Sequence, residues 1–575
     1  MAVRSVLRPI FSLSRRLRPL STSSVRFGGT STEDPNILKS PYGCIEVPEI
    51  NITDYLFEKT AKWGDLISTE CPLTGRKYTY DDIQRGSRNL AGALRKKLKL
   101  NRKDVVAVLL PNVPEMPIAS FGVLHGGLVA TTLNPTYTPE EICRQLLDSG
   151  AKALITLTDF WPAAKKAVEL TKENIPIITI NTKADQTTPS GAISFAEFTK
   201  EKIEIEDRNQ ISNEDIAFMP YSSGTTGLPK GVLLSHHNMM ANLEQISSPK
   251  YAYIEQATKD HQDVVPIVLP QFHIYGLLVT MLQSTARACK HICMPKFDPA
   301  LYIKVLATYK PHALFVAPPL VIFMSTQDAV KAEYLSRVRS IVSGAAPLGA
   351  SDEEKFKRKA NVFVGQGYGM TEASPVITMT AIRGTSTPGS TGPPIPSTDI
   401  KISKLDDPLG LALGRNQTGE ILVRGPQVMK GYHQREDATA ETLLEGGWLR
   451  TGDIGFVDDN DCITITDRLK ELIKVKGYQV PPAELEEIIR QHPDVVEVGV
   501  IGIPDERAGQ LPRAYVVLKP GTQLDEKNIQ EFVKSKVSTY KELKGGVAAV
   551  ESLPMNASGK ILRRQLREMY EKNGK

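Results

Sequence analysis

The sequence predicts an α/β protein. A large N-terminal domain of parallel-sheet α/β subdomains carries a β-rich subdomain, and a small α+β domain follows it. Three observations support this. Short β-branched runs alternate with stretches of helical spacing through most of the chain, the signature of βαβ units. Between about residues 384 and 430 the texture changes to Gly/Pro turns and short strands. From Asp467 onward a fresh set of helices and strands begins.

Taken in order, residues 105–110 read as a buried strand, because the run is almost wholly apolar. Residues 140–149 place apolar side chains at helical spacing, 153–157 are a strand, 162–172 a helix and 177–180 a strand. The runs 264–269, 314–317 and 340–343 extend the alternation, and 419–423 is a strand of the β-rich part. In the last unit 483–491 is helical. Its acids Glu484, Glu486 and Glu487 lie toward the N-terminus, where the helix dipole favours them. Residues 495–501 and 514–518 are strands and 526–537 a helix. The expected division is therefore 1–30, 31–466 and 467–575.

The first 30 residues read as a targeting segment. They are rich in Arg and Ser, and Glu33 is the first acid. On a helical wheel Arg4, Arg8, Arg15 and Arg18 oppose Val3, Val6, Leu7, Ile10, Leu13 and Leu17, while Pro9 and Pro19 interrupt the helix. That is the composition of a mitochondrial transit peptide, so the expected location is the mitochondrial matrix. A disordered basic tail is the alternative. The chain ends Asn573-Gly574-Lys575, not in the peroxisomal Ser-Lys-Leu. The six arginines of this stretch also explain the net charge: +5 less six leaves −1 for the body. A near-neutral body carries no basic tract for nucleic acid. No apolar run reaches the roughly 18 residues of a membrane span. Cys289, His291 and Cys293 are close in sequence, but a zinc site needs a second spaced ligand pair that the chain does not offer.

The most informative stretch is Tyr221-Ser222-Ser223-Gly224-Thr225-Thr226-Gly227-Leu228-Pro229-Lys230-Gly231. Glycines let backbone N–H groups approach an anion, and hydroxyls and a lysine add donors and charge. The Gly-to-Lys spacing differs from the GxxxxGK[ST] loop. Apolar runs at 216–218 and 232–234 flank it, so it is a phosphate-binding loop between strands, not a linker.

Further motifs follow in order. They are His273-Ile274-Tyr275-Gly276, Ser343-Gly344-Ala345-Ala346-Pro347-Leu348, Gln366-Gly367-Tyr368-Gly369-Met370-Thr371-Glu372, Thr451-Gly452-Asp453, Asp467-Arg468-Leu469-Lys470 running to Gly477-Tyr478-Gln479-Val480, and Pro554-Met555-Asn556-Ala557-Ser558-Gly559-Lys560. With the loop they resemble the adenylate-forming enzymes, and most closely the acyl-CoA synthetase and 4-coumarate–CoA ligase-like branch. The resemblance covers nearly everything after residue 30.

That resemblance implies an acid–CoA ligase. A carboxylic acid would attack ATP to give an acyl-adenylate and pyrophosphate, and the acyl group would pass to coenzyme A with release of AMP. It places Ser222, Ser223, Gly224, Thr225, Thr226 and Lys230 around the phosphates, and Mg²⁺ on Glu372. Gly344, Ala345, Gln366, Gly367 and Tyr368 would line the adenine, with Thr371 and Met379 near AMP. Asp453 and Arg468 would hold the ribose. Lys560 would bridge the carboxylate and the α-phosphate. Lys474 would approach the adenylate, and Lys476 with Gly477 coenzyme A. Lys474 and Lys476 flank Val475, so on a strand they share one face.

In the family the C-terminal unit rotates between the two half-reactions, which makes Lys470 the hinge. Catalytic roles fall to Lys560, Lys474, His273 and Thr226. The acid's tail would meet Ile274, Tyr275, Val279, Pro375 and Val376, with His273 as a gate beside the carboxylate. Coumarate ligases commonly carry a small hydroxyl residue where this chain has Val279, which turns the expectation from phenolic acids toward hydrophobic monocarboxylic acids, medium-chain or arylalkyl. Partners would be the acid, ATP and coenzyme A, with the chain a monomer or weak homodimer.

Outside this context the same residues have plainer readings. Glu372 reads as a solvated acid, Asp453 as a turn residue, Lys560 as an exposed lysine and His273 as a packed structural histidine. Another acceptor, a carrier-protein thiol or oxygen as in luciferases, is the alternative chemistry. A catalytically dead homologue would have lost Lys560, Glu372 or the loop, and all are present.

Overall fold

Alternation in the sequence becomes parallel pairing in space. A computed structural model describes residues 34–222, 229–382, 384, 386–405, 407, 410–476, 478–556 and 559–573. Residues 1–30, expected to be a targeting segment, the loop residues Ser223, Gly224, Thr225 and Thr226, and Gly477 lie outside the described residues. Strand Val105–Leu109 pairs in parallel with Val129–Thr132 on one side and Ala151–Leu157 on the other, and Ile177–Ile180 follows. Helices Pro139–Ser149 and Trp161–Thr171 form the crossovers. Val106, Val108 and Ile155 lose all solvent contact, because a sheet covered on both faces buries every side chain. The Pro139–Ser149 helix starts where Thr138 and Glu141 form a reciprocal capping box and stops at left-handed Gly150. The nine-stranded sheet also takes in Lys230–Ser235, with Tyr221–Ser222 and Gly431–Tyr432 beside it.

A second parallel unit stacks Ala313–Val316, Ser340–Ser343 and Phe363–Gly369, and Val376–Met379 returns antiparallel. A four-stranded sheet holds Val264–Ile267 and Lys290–Cys293; Cys289, His291 and Cys293 are all buried. The β-rich region extends well past residue 430. Its antiparallel sheet comprises Leu38–Lys39, Asp399–Ser403, Gly419–Arg424, Leu443–Leu444, Trp448–Val457 and Ile463–Arg468.

A five-stranded sheet closes the chain, from Ile473–Val475 to Val547–Ala549. Its hairpin Val495–Asp505 and Gly509–Leu518 is longer than the expected strands, and helix Glu526–Lys534 is shorter than the expected one. Helices Pro482–Arg490 and Glu526–Lys534 pack on one face through Leu485, Ile489 and Val533. Leu566 of helix Arg563–Asn573 meets Ile503 and Tyr515 on the other. Glu486 departs from the dipole reading. It is buried, receives both Nη2 hydrogen bonds of Arg563 at 2.8 and 2.9 Å, and accepts from the Val500 amide. Residues Asn36–Lys575 form one compact unit. No described helix is long and apolar enough to cross a membrane.

Candidate active site

A cavity of about 400 Å³ opens beyond the carboxyl ends of the strands Ser340–Ser343 and Phe363–Gly369, where ligands of open α/β sheets bind. The first strand delivers Gly344 and Ala345, and the second delivers Gly367 and Tyr368 and then Thr371 and Glu372. The returning strand brings Val376 and Met379. Pairing of Ser222 with Lys230 puts both on the rim. The hairpin ending at Arg468 adds that guanidinium and Lys470, and Lys560 enters from the C-terminal unit.

One wall is apolar: Ile274, Tyr275, Val279, Val342, Pro375 and Val376. The Tyr275 hydroxyl donates to the Val342 carbonyl at 3.1 Å. A Cβ on Gly344 would lie 2.8 Å from the Tyr275 ring, so only glycine lets the main chain pass that ring. Val279 sits in a π-helical segment, Gly276–Leu282, an uncommon conformation frequent at functional sites. Gly276 is required there, since a Cβ would meet the Pro270 carbonyl at 2.2 Å. His273 is enclosed by burial and faces Lys560. Together these hold its pKa down at about 4, so the ring is neutral at pH 7. Its Nδ1 has no hydrogen-bond partner among the described residues.

The opposite end is polar. Asp453, 4 % exposed, receives the Tyr368 hydroxyl at 2.7 Å and Arg468 Nε at 3.1 Å. Each carboxylate oxygen is engaged once and keeps a lone pair, so two ribose hydroxyls can still be accepted. Glu372, 6 % exposed, takes the Tyr432 hydroxyl on Oε1 at 2.8 Å. Its second oxygen takes no hydrogen bond among the described residues. Mg²⁺ is usually held by one or two carboxylates together with substrate phosphates, and a buried carboxylate with one uncommitted oxygen fits that role. Lys560 is a perturbed cation of the cavity wall. Burial, then the neighbouring Arg468 charge, brings its pKa down to about 8.

The cavity therefore gathers Ser222, Lys230, His273, Ile274, Tyr275, Val279, Gly344, Ala345, Gly367, Tyr368, Thr371, Glu372, Pro375, Val376, Met379, Arg468, Lys470 and Lys560. Asp453 stands just behind, bonded to two of them. Gln366 is turned away: its amide clamps the Leu348 main chain at 3.0 and 3.1 Å. Lys474 and Lys476 are exposed and line no part of the cavity. They do not share a strand face either, because the strand stops at Val475 and Lys476 turns into the left-handed region at φ +50°. Sequence reasoning missed Tyr432, Glu420, Glu441, Thr442 and Arg450 on the wall. For Tyr432 the available signal was a single Gly-Tyr pair, 60 residues from its partner Glu372.

The AMP-binding enzyme family matches residues 56–433, and the AMP-binding enzyme C-terminal domain matches residues 484–560. The chain is 37% identical over 551 residues to 4-coumarate–CoA ligase 3 of Oryza sativa subsp. japonica, covering 94% of this chain and 96% of that one. It is 38% identical over 544 residues to 4-coumarate–CoA ligase 1 of Arabidopsis thaliana, covering 92% and 95%. Among solved structures it resembles ATP-bound MatB from Rhodopseudomonas palustris, with a TM-score of 0.81 and 27% identity, over 92% of this chain and all of that one. A cavity bordered by the buried carboxylates of Glu372 and Asp453, a partly buried lysine and these relatives lead to one conclusion: the chain belongs to the AMP-binding enzyme family and is an AMP-forming acid–CoA ligase.

Proposed function

We propose that this ligase activates a hydrophobic monocarboxylic acid, medium-chain aliphatic or arylalkyl and cinnamate-like. The observation that supports it is the apolar wall of Ile274, Tyr275, Val279, Val342, Pro375 and Val376. A polar tail buried there without a partner costs about 1–3 kcal/mol, and an unpaired second carboxylate costs more. Acetate forgoes about 0.8 kcal/mol for each methylene it lacks.

In the first half-reaction a carboxylate oxygen of the acid bonds to the α-phosphorus of ATP, and the bond to pyrophosphate breaks. Lys560, charged below about pH 8, offsets the charge that gathers between carboxylate and phosphorus. Asp453 and Arg468 orient the nucleotide, which converts the encounter into a positioned reaction. Glu372 would hold Mg²⁺, whose chemistry there is neutralisation of phosphate charge. Neutral His273 bounds the space beside the reacting carboxylate without adding charge. In the second half-reaction the coenzyme A sulfur bonds to the acyl carbon and AMP leaves. Lys474 and Lys476 lie outside the cavity in this arrangement, so their use requires the C-terminal unit to turn about Lys470.

The test is kcat/KM for CoA-dependent AMP release with acetate, octanoate, a cinnamate and malonate. Octanoate or the cinnamate should lead. If acetate or malonate came out best, the assignment of the apolar wall to the acyl group would be wrong.

A further inference from the structure

Lys230 and Glu372 carry opposite charges on one rim of the cavity, yet among the described residues neither joins an ion pair. One side chain touches both. The Tyr432 hydroxyl donates to Glu372 Oε1 at 2.8 Å, and the Lys230 ammonium stands 4.9 Å from the centre of the Tyr432 ring. A cation over an aromatic face is attracted by the ring's negative quadrupole, and a hydroxyl bond to a carboxylate is among the stronger hydrogen bonds.

The fold holds Tyr432 firmly in this place. Strand Gly431–Tyr432 pairs antiparallel with Lys230–Ser235, with Val232 opposite Tyr432. The Tyr432 amide donates to Thr439 Oγ1 at 2.9 Å, the His433 amide to the Gly231 carbonyl at 2.8 Å, and the Met429 amide to the Glu372 carbonyl at 2.8 Å. The short strand is thus tied on one side to the backbone that carries Lys230 and on the other to the backbone that carries Glu372.

We infer that Tyr432 is a positioning residue that keeps the phosphate-facing ammonium of Lys230 and the cation-holding carboxylate of Glu372 apart and separately oriented. Were they to meet, each would neutralise the other, and ATP with its Mg²⁺ would have to break the pair before binding. The ring supports Lys230 and the hydroxyl supports Glu372, so the two functions separate by substitution. This inference rests on the adenylation reading of the cavity.

The experiment measures ATP binding by calorimetry on the full chain, with and without graded Mg²⁺, for the native protein, Tyr432→Phe, Tyr432→Leu, Glu372→Gln and the double variant Tyr432→Phe/Glu372→Gln. Tyr432→Phe should raise the Mg²⁺ concentration needed for half-maximal ATP binding about tenfold, the worth of a hydrogen bond to a charged group. It should leave Mg²⁺-free ATP affinity unchanged, because the ring remains. Tyr432→Leu should also weaken Mg²⁺-free ATP binding, by about threefold or more, for loss of the cation–π contact. In the Glu372→Gln background Tyr432→Phe should add nothing to the Mg²⁺ requirement. A native Mg²⁺ dependence in Tyr432→Phe would overturn the inference, and so would an equal penalty with and without Glu372. Failure of the native protein to bind ATP at all would instead overturn the adenylation reading.

Discussion

Lys560 and the pair Lys474/Lys476 ride on the same C-terminal unit but occupy opposite environments. Lys560 is partly buried on the cavity wall beside Arg468, with its pKa drawn down to about 8. Lys474, in the short strand Ile473–Val475, and Lys476, just after it, are exposed. One unit therefore presents one lysine to the cavity while the other two stand in solvent. The difference teaches that enclosure, not residue type, sets an ammonium apart from its neighbours on the same unit. A desolvated ammonium stabilises a nearby phosphate charge far more than a hydrated one.

The largest expected effect tests that contrast directly. Lys560→Ala should slow adenylate formation by about 10²–10³-fold, the loss seen when one preorganised donor is removed, while thioester formation from supplied acyl-adenylate persists. Lys476→Ala should do the reverse. ATP–pyrophosphate exchange and thioester release from adenylate, measured separately, decide it. Equal damage to both half-reactions by both substitutions would break the comparison.

Next in size is the anchor of the Lys560 end. Arg563, three residues on, bonds Glu486 through both oxygens and Glu471 at 2.7 Å. Arg563→Met should leave those buried acids unpaired and cost about 3 kcal/mol or more of stability. Lys476→Ala, on the exposed end, should stay within about 0.5 kcal/mol of the native protein. Denaturant midpoints for the two variants give the contrast, and similar values would show that the two ends are equally embedded.

The smallest effect is in pH. As pH rises through about 8 Lys560 loses its proton, so kcat/KM for ATP in the adenylation step should fall, approaching tenfold per pH unit well above it. Lys560→Arg, whose charge persists, should remove that alkaline limb whatever its absolute rate. His273, held at about 4, is already neutral and should add no limb between pH 5 and 8. A limb near pH 8 that survives in Lys560→Arg would assign it to another group.

Much of the site was legible as ordered local motifs. The stretch 366–372 named Gly367, Tyr368, Thr371 and Glu372 because the strand, its turn and the residues just after it are contiguous in sequence. Gln366 belongs to the same stretch yet points at Leu348, since which face a strand residue takes depends on what packs behind it. The plain readings of Glu372, Asp453 and Lys560 gave way for a similar reason: segments distant in sequence bury the two carboxylates and partly enclose the lysine.

The sequence by itself determined the α/β alternation, the presence of a β-rich region, the order of the motifs and the family they resemble. These rest on side-chain period, turn residues and short-range spacing, which act within a few residues of each other. Only the tertiary structure decided that Tyr432 stands between Lys230 and Glu372, that Glu486 is a buried partner of Arg563, and that Lys560 lines the cavity while Lys474 and Lys476 do not. Each depends on strand register and burial between segments far apart in the chain. Those contacts are selected by the whole packed core, and no local pattern encodes them.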